Sequence, residues 1–146
     1  MVDNISLKNL YSRKITVLNK IDGEDNDSGL DIWKKTEVDD VEIKRVENRV
    51  FNGKEAYTSF DYDVMFSDID NYVTYKDLVK NTSYIDTFTL RTGDFIVFST
   101  FDEDVTSKNI TSILKDFEGD VIKVKNVYKP KETAFTTVKL VAKGSW

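Results

Sequence analysis

The sequence predicts a mostly β fold, an antiparallel barrel or sandwich of about seven strands with one short capping helix. Short segments of alternating apolar and polar residues recur along the chain between turn-forming residues, which is typical of half-buried strands. Only one segment has helical spacing of its apolar residues, whereas parallel strands would need a crossover helix between each pair. The length and the lack of a linker predict a single domain, residues 1–146.

The first predicted elements form a hairpin. Residues 1–12 have mixed periodicity, and we interpret them as a short N-terminal helix or docking arm with Asp3 as its N-cap. Ile15 begins the first strand. The polar, acidic stretch of residues 22–29 then returns the chain into a second strand from residue 32 onward, which predicts a hairpin with a long acidic tip.

The second strand continues through Val41 and Ile43, and its apolar phase then shifts across Lys44-Arg45, as expected of a β-bulge. Asn52-Gly53 follows, and this dipeptide suits the two positive-φ positions of a type I′ turn. The next segment predicts a strand with one solvent face and one core face, and the core face comprises Ala56, Thr58, Phe60, Tyr62, Val64 and Phe66.

The middle of the chain is less regular. We interpret residues 67–86 as an extended loop that projects from the barrel and contains a short helical turn. Residues 90–94 predict a tight turn. The run of residues 95–98 is apolar at every position, which predicts a central strand buried on both faces.

The last predicted elements are the capping helix and a closing hairpin. Apolar residues recur at i, i+3, i+4 and i+7 within residues 107–117, with an N-cap at residues 106–107 and Gly119 as the terminating residue. Residues 122–142 then predict a hairpin with its turn at residues 129–132.

The composition removes most familiar catalytic groups. The chain has no Cys and no His, which excludes disulfides, thiol nucleophiles, zinc fingers and imidazole general bases. The net charge of −5 opposes general binding to nucleic acid or anionic lipid. No apolar stretch has the length of a membrane span and no signal-peptide pattern is present, so we expect a soluble, unprocessed protein.

Two groups of carboxylates resemble metal sites, and each has a simpler explanation. The acidic tip offers oxygen ligands for Ca²⁺, but with Gly29 at the sixth position of an EF-hand loop the twelfth ligand would be Lys35. Asp31 with Glu42-Ile43-Lys44 has the spacing of some Mg²⁺-dependent nucleases, but alternating charges on a strand produce the same spacing. We therefore expect no metal, no cofactor and no catalytic residue.

Sugar chemistry is a further alternative. Carboxylate pairs drawn from Asp61, Asp63 and residues 102–104 would suit glycoside cleavage, but 26 acidic residues produce such pairs by abundance alone. Trp33, Tyr57 and Trp146 would suit stacking on a sugar, although contacts in the core or between subunits explain them more simply.

The remaining side chains favour an interaction role. Tyrosine suits interfaces because it buries a large area at low entropic cost. The first candidate interface lies in the irregular stretch and comprises Tyr72, Tyr75, Leu78 and Tyr84; the second lies in residues 1–12 and comprises Ile5, Leu7 and Leu10. The alternative for the first set is that the loop packs on its own barrel.

Five short segments follow one another along the predicted strands: Ile15-Thr-Val-Leu-Asn-Lys20, Trp33-Lys-Lys-Thr36 with Val38 and Val41, Leu90-x-x-Gly93-Asp94-x-Ile96-Val97, Val124-x-x-Val127, and Val138-x-x-Val141-x-Lys143-Gly144. In this order they resemble a family of small tailed-phage neck proteins, variously described as minor capsid, head-tail joining or head-closure (stopper) proteins. The resemblance spans roughly residues 13–144.

The resemblance implies a non-enzymatic β-barrel subunit of a ring of identical copies, expected to be a hexamer. The ring would lie between the portal or its adaptor and the tail terminator, and would retain packaged DNA that passes through its lumen. The protein would be made in the host cytoplasm and reside in the virion, and its acidic charge would keep DNA from adhering. A tail terminator or tail-completion protein is the alternative, ahead of a nuclease or a carbohydrate-binding module.

Overall fold

The chain folds into a closed barrel of six antiparallel strands. In the computed structural model, which describes residues 13–53, 55–67, 69–80, 86–128, 131–132, 137–138 and 140–145, the elements in chain order are β1 (Arg13–Ile21), β2 (Ile32–Asn52), β3 (Glu55–Phe66), α1 (Tyr75–Lys80), β4 (Phe95–Val97), α2 (Ile110–Asp116), β5 (Val121–Tyr128), β6 (Lys131–Glu132), β7 (Thr137–Val138) and β8 (Leu140–Ser145). The barrel order is β1-β2-β3-β8-β5-β4, and β6 and β7 form a separate ribbon. The predicted antiparallel barrel with one short helix is confirmed.

β2 is 21 residues long and pairs with two neighbouring strands. Its first half pairs with β1 and its second half, from Val41 onward, pairs with β3. The register with β1 shifts beside Asp40, whose φ of 58° is tolerated by aspartate better than by most residues. The prediction of a bulge across Lys44-Arg45 is therefore wrong, because those residues pair with β3 without interruption.

The hairpin between β2 and β3 is present, but its loop begins one residue later than predicted. Asn52 pairs with Glu55, so Asn52 ends the strand and Gly53 is the first loop residue. Gly53 has a φ of 63°, a conformation that costs glycine little because it has no Cβ.

β8 completes the barrel by inserting between β3 and β5. A Cβ at Gly144 would clash with the carbonyl oxygen of Lys123, so only glycine allows the two backbones this approach. The turn predicted at residues 129–132 is misplaced, because Lys131 and Glu132 pair with β7 and the chain reverses beyond them.

Two apolar clusters hold the fold together. The larger one fills the barrel with side chains from all six strands, among them Ile15, Val41, Phe66 and Ile96. The smaller one lies between α2 and the barrel wall and includes Leu18, Val97, Ile113, Leu114 and Val121. Ile96 and Val97, on opposite faces of β4, are both fully buried, which confirms the prediction of a central strand.

The capping helix begins later than predicted. α2 starts at Ile110, whereas residues 107–109 form a preceding turn. Thr106 caps that turn, since its Oγ1 accepts the backbone N–H of Asn109 at 3.3 Å. Gly119 follows the helix with a φ of 92°, as expected of a glycine that terminates a helix.

Candidate interaction surface

Beyond the barrel, β2 and β3 continue as a two-stranded ribbon of residues 46–52 and 55–61, which we call the β-arm. Within the described residues, β1 pairs with β2 only as far as Val41, and β8 pairs with β3 only as far as Tyr62. Both edges of the β-arm therefore lack a second strand in this part of the chain. At about 3.4 Å per residue, its seven pairs extend for about 24 Å.

One face of the β-arm continues the core face of β3 into solvent. Cross-strand partners lie on the same face, so this face runs from buried Phe66 through Tyr62 to Phe60 and Phe51. The Tyr62 ring still contacts the barrel, with its centroid 5.3 Å from that of Phe98. Phe60 and Phe51 are 40% and 75% exposed, so the prediction of Phe60 as a core residue is wrong.

A charged side chain accompanies these aromatic rings. The guanidinium carbon of Arg45 lies 4.6 Å from the centroid of the Phe60 ring, within the range of a cation–π contact. Arginine and aromatic residues are the types that protein interfaces favour. Within the part of the chain that the structure describes, the β-arm thus combines strand edges that lack a second strand with side-chain types that interfaces favour.

The interface predicted in the irregular stretch is arranged differently. Leu78 is fully buried and Tyr72 packs edge-on against Phe88, with the ring centroids 5.8 Å apart. Burial of Tyr72 raises the pKa of its hydroxyl. The described residues 69–80 therefore pack on their own barrel instead of projecting, and Leu78 is not available to a neighbouring chain.

Tyr75 is engaged within the subunit as well. Its hydroxyl donates to Oδ2 of Asp25 at 2.7 Å and accepts the backbone N–H of Asp22 at 3.0 Å. The guanidinium carbon of Arg91 lies 3.4 Å from the ring centroid. The other predicted interface residues, Ile5, Leu7, Leu10 and Tyr84, lie outside the described residues.

A buried polar network lies behind Tyr75, and the sequence did not predict it. Asp94 is 1% exposed; its Oδ1 accepts the backbone N–H of Lys20 at 3.0 Å. Its Oδ2 accepts the side-chain amide of Asn19 at 2.9 Å and the backbone N–H of Arg91 at 3.0 Å. Burial nevertheless raises the pKa of Asp94. The only sequence signal was the Gly93-Asp94 turn, which shows nothing about the burial of the carboxylate.

A surface hollow of about 410 Å³ opens beside this network. Lys20, Arg91 and Lys123 contribute cations to its wall and Trp33 contributes an aromatic ring. Trp33 is half-buried against Phe95, with ring centroids 5.6 Å apart, so it serves the subunit's own packing.

The carboxylates do not assemble into the sites considered for metals. Asp31 directly precedes β2 and Glu42 lies within it. These positions are eleven residues apart along the chain, which extends for roughly 35 Å, so the two carboxylates of the proposed nuclease pattern are too far apart to bind one metal ion. Oδ1 of Asp31 instead accepts the N–H of Gly23 at 2.9 Å, which lowers the pKa of Asp31. In the described parts of the chain, no group of three or more acidic residues is arranged to hold a metal ion.

The candidate carboxylate pair for sugar cleavage is also engaged. Asp63 lies 3.6 Å from Nζ of Lys143. Asp61 and Asp63 line a hollow of about 330 Å³ at the base of the β-arm, which they share with Lys125 and Lys143. The residues 102–104 do not line this hollow.

In comparisons with known proteins, no family model, curated protein or solved structure matches this chain. Among the helices of the described residues, none is long and apolar enough to cross a membrane.

Proposed function

We propose that this chain is a structural subunit of the neck of a tailed phage, a head-closure (stopper) ring protein that joins the portal or its adaptor to the tail. Its role would be to retain packaged DNA. The observation that carries the proposal is the β-arm, which extends from a closed barrel with exposed Phe51 and Phe60 on one face.

The reasoning starts from strand edges. Closure of a barrel removes exposed edges, and natural proteins protect those that remain because a free edge readily pairs with another chain. Among the described residues, both edges of the β-arm lack a further strand, and the large aromatic side chains of Phe51 and Phe60 lie on one of its faces. If this arm of about 24 Å binds a different surface on the next copy, the contact is head-to-tail. Repeated head-to-tail contacts form a closed ring when the rotation from one subunit to the next divides a full turn evenly.

The charge is compatible with a conduit for DNA. Each subunit carries a net charge of −5, which accumulates around a ring and keeps the duplex from adhering while it moves. The Leu90-x-x-Gly93-Asp94 segment, on which the resemblance to neck proteins partly depends, is a turn whose Leu90 and Asp94 side chains are buried in this fold. In the proposal, these two buried residues support the barrel.

The test uses a phage whose genome encodes the chain. We expect the double variant Phe51→Ser/Phe60→Ser to fold but to lower the infectious titre by about 100-fold, as expected when two aromatic anchors of an interface are removed. The matched control is Leu30→Ser, since Leu30 is 68% exposed but lies next to the acidic tip and outside the β-arm. We expect the control to leave the titre unchanged.

The particles identify the role. Heads that package DNA and then lose it would support head closure. Heads that keep their DNA but carry no tail would favour the tail-terminator alternative. An unchanged titre in the double variant would remove the β-arm from the proposal, and infectious particles assembled without this chain would overturn the neck function.

A further inference from the structure

The exposed face of the β-arm presents a cation stacked on an aromatic ring. The guanidinium carbon of Arg45 lies 4.6 Å from the centroid of the Phe60 ring, and the Phe60 side chain is 40% exposed. Phe51 lies on the same face, nearer the tip of the β-arm. A surface that receives this face must therefore accept a positive charge beside an apolar ring.

One hollow on the barrel has the complementary character. It has a volume of about 240 Å³, and we call it the acidic hollow; its lining consists of Glu37, Val38, Asp39, Asn71, Asp86 and Phe88. Val38 and Phe88 belong to the barrel core and contribute the apolar part of the lining. The hollow thus offers carboxylates around an apolar base.

The charge of this lining is negative. The exposed cation Lys14 lies beside it, with Nζ 3.8 Å from a carboxylate oxygen of Glu37 and 4.0 Å from one of Asp39. The buried ammonium of Lys34 interacts with Asp86 from the barrel interior. Three carboxylates thus face two ammonium groups. The larger hollow of about 410 Å³ has the opposite balance, with three cations and two carboxylates in its lining, so it suits an arginine less well.

The β-arm does not reach the acidic hollow of its own subunit. Arg45 lies six residues beyond Asp39 along β2, and Phe60 pairs with Glu47, two residues further on. At about 3.4 Å per residue, these distances along the strand are about 20 Å and about 27 Å. From Val41 onward β2 pairs with β3 without interruption, so it does not fold back. A contact between these two surfaces therefore requires two copies of the chain.

We propose that the β-arm of one copy docks on the acidic hollow of the next copy, with Arg45 and Phe60 entering the hollow together. The inference rests on the proposed function, because it names the surface of the neighbouring subunit that the β-arm contacts. Arginine and carboxylate form charge-assisted hydrogen bonds, which give such a contact its geometry. Because the two surfaces differ and lie apart on each copy, the contact repeats from copy to copy, as a ring requires.

Charge exchange tests the contact in a phage whose genome encodes the chain. We expect Arg45→Glu and Asp39→Arg each to lower the infectious titre by about tenfold, since each places like charges opposite one another. The double variant restores opposite charges, so its titre should return to within about threefold of that of the unmodified phage. The matched control is Lys44→Glu, which reverses a charge on the opposite face of the β-arm and should leave the titre unchanged.

Cross-linking of the purified protein tests the same contact without a phage. In Glu47→Cys/Asn71→Cys, one cysteine lies beside Phe60 and the other at the acidic hollow, and the chain has no other cysteine. At about 1 mM, where contacts of millimolar affinity are populated, a short bis-maleimide should give a ladder of covalent multimers on a denaturing gel. The control Lys44→Cys/Asn71→Cys should give about tenfold less of these multimers.

The results separate the contact from the neck function. Defective single variants without rescue in the double variant, or equal cross-linking in both cysteine variants, would overturn the contact and leave the neck function standing. An unchanged titre in Arg45→Glu, or a failure of Glu47→Cys/Asn71→Cys to cross-link, would also overturn the contact. Covalent multimers of the purified chain, together with infectious particles that lack it, would support the contact and overturn the neck function.

Discussion

The turn at residues 90–94 and the β-arm hold their most prominent side chains in opposite environments. At the turn, Asp94 is buried, and each of its carboxylate oxygens accepts hydrogen bonds from β1 or from the turn itself. On the β-arm, Phe51 and Phe60 are exposed, and the strand edges beside them lack a partner among the described residues. The comparison teaches that the buried carboxylate of Asp94 finds its hydrogen-bond partners within the fold, whereas the aromatic rings of the β-arm remain exposed.

The largest effect is expected at Asp94. Asp94→Ala would leave the buried N–H groups of Lys20 and Arg91 without acceptors, and we expect a loss of about 4 kcal/mol in the free energy of unfolding. Urea denaturation measures this loss. The control is Asp102→Ala at an exposed position, which should change stability by less than about 0.5 kcal/mol. Equal losses of unfolding free energy in both variants would contradict a structural role for the Asp94 carboxylate.

Leu78 sharpens the distinction between packing and docking. Because its side chain is fully buried, Leu78→Ala should lower the free energy of unfolding by about 3 kcal/mol through lost burial and a cavity. Thermal or urea unfolding provides the measurement, with exposed Leu30→Ala as its control. If Leu78→Ala is as stable as the unmodified protein, α1 is not packed on the barrel, and Leu78 again becomes a candidate interface residue.

Lys34 gives a pH-dependent test of the fold's interior. Burial lowers the pKa of its ammonium, although Asp86 partly opposes the shift, so the folded state binds this proton less tightly than the unfolded state does. The free energy of unfolding should therefore rise as pH increases from the lowered pKa towards 10.5. Lys34→Met should lose that part of the slope in urea titrations at several pH values; an identical slope would contradict the assignment.

The smallest effect on stability is expected on the β-arm. Phe51→Ser removes a ring that is 75% exposed, so the free energy of unfolding should change by no more than about 0.5 kcal/mol. Differential scanning calorimetry of the purified protein is sufficient. A loss of unfolding free energy as large as that of Asp94→Ala would show that Phe51 is a core residue and would contradict the contrast drawn between the two regions.

The sequence predicted those elements whose signal is local. The apolar run around Ile96 and Val97 identified a central strand, and the spacing of Ile113 and Leu114 identified α2, because burial periodicity depends on neighbouring residues. The bulge was misplaced because an apolar phase shift occurs wherever a strand leaves its core, whereas the actual bulge depends on the backbone of Asp40.

The candidate surface depended on information that no single segment contains. The alternation from Phe60 to Phe66 is uniform, but where the strand leaves the barrel is set by how far β8 reaches along it. Leu78 was predicted as an interface residue because it lies in a largely polar, irregular stretch, whereas the barrel that buries it is formed by distant segments. The burial of Asp94 was missed for the same reason, since its partner Asn19 lies 75 residues away.

The position of β8 between β3 and β5 has a consequence for how the protein forms. Until β8 has paired, no ladder joins β3 to β5. In addition, β1 must pair with β4 across about 80 residues of chain, as the pairs Thr16–Val97 and Leu18–Phe95 show. Such non-local pairing slows folding and leaves adhesive strands exposed meanwhile. We therefore expect refolding to be slow for a chain of this size, with a yield that falls as protein concentration rises.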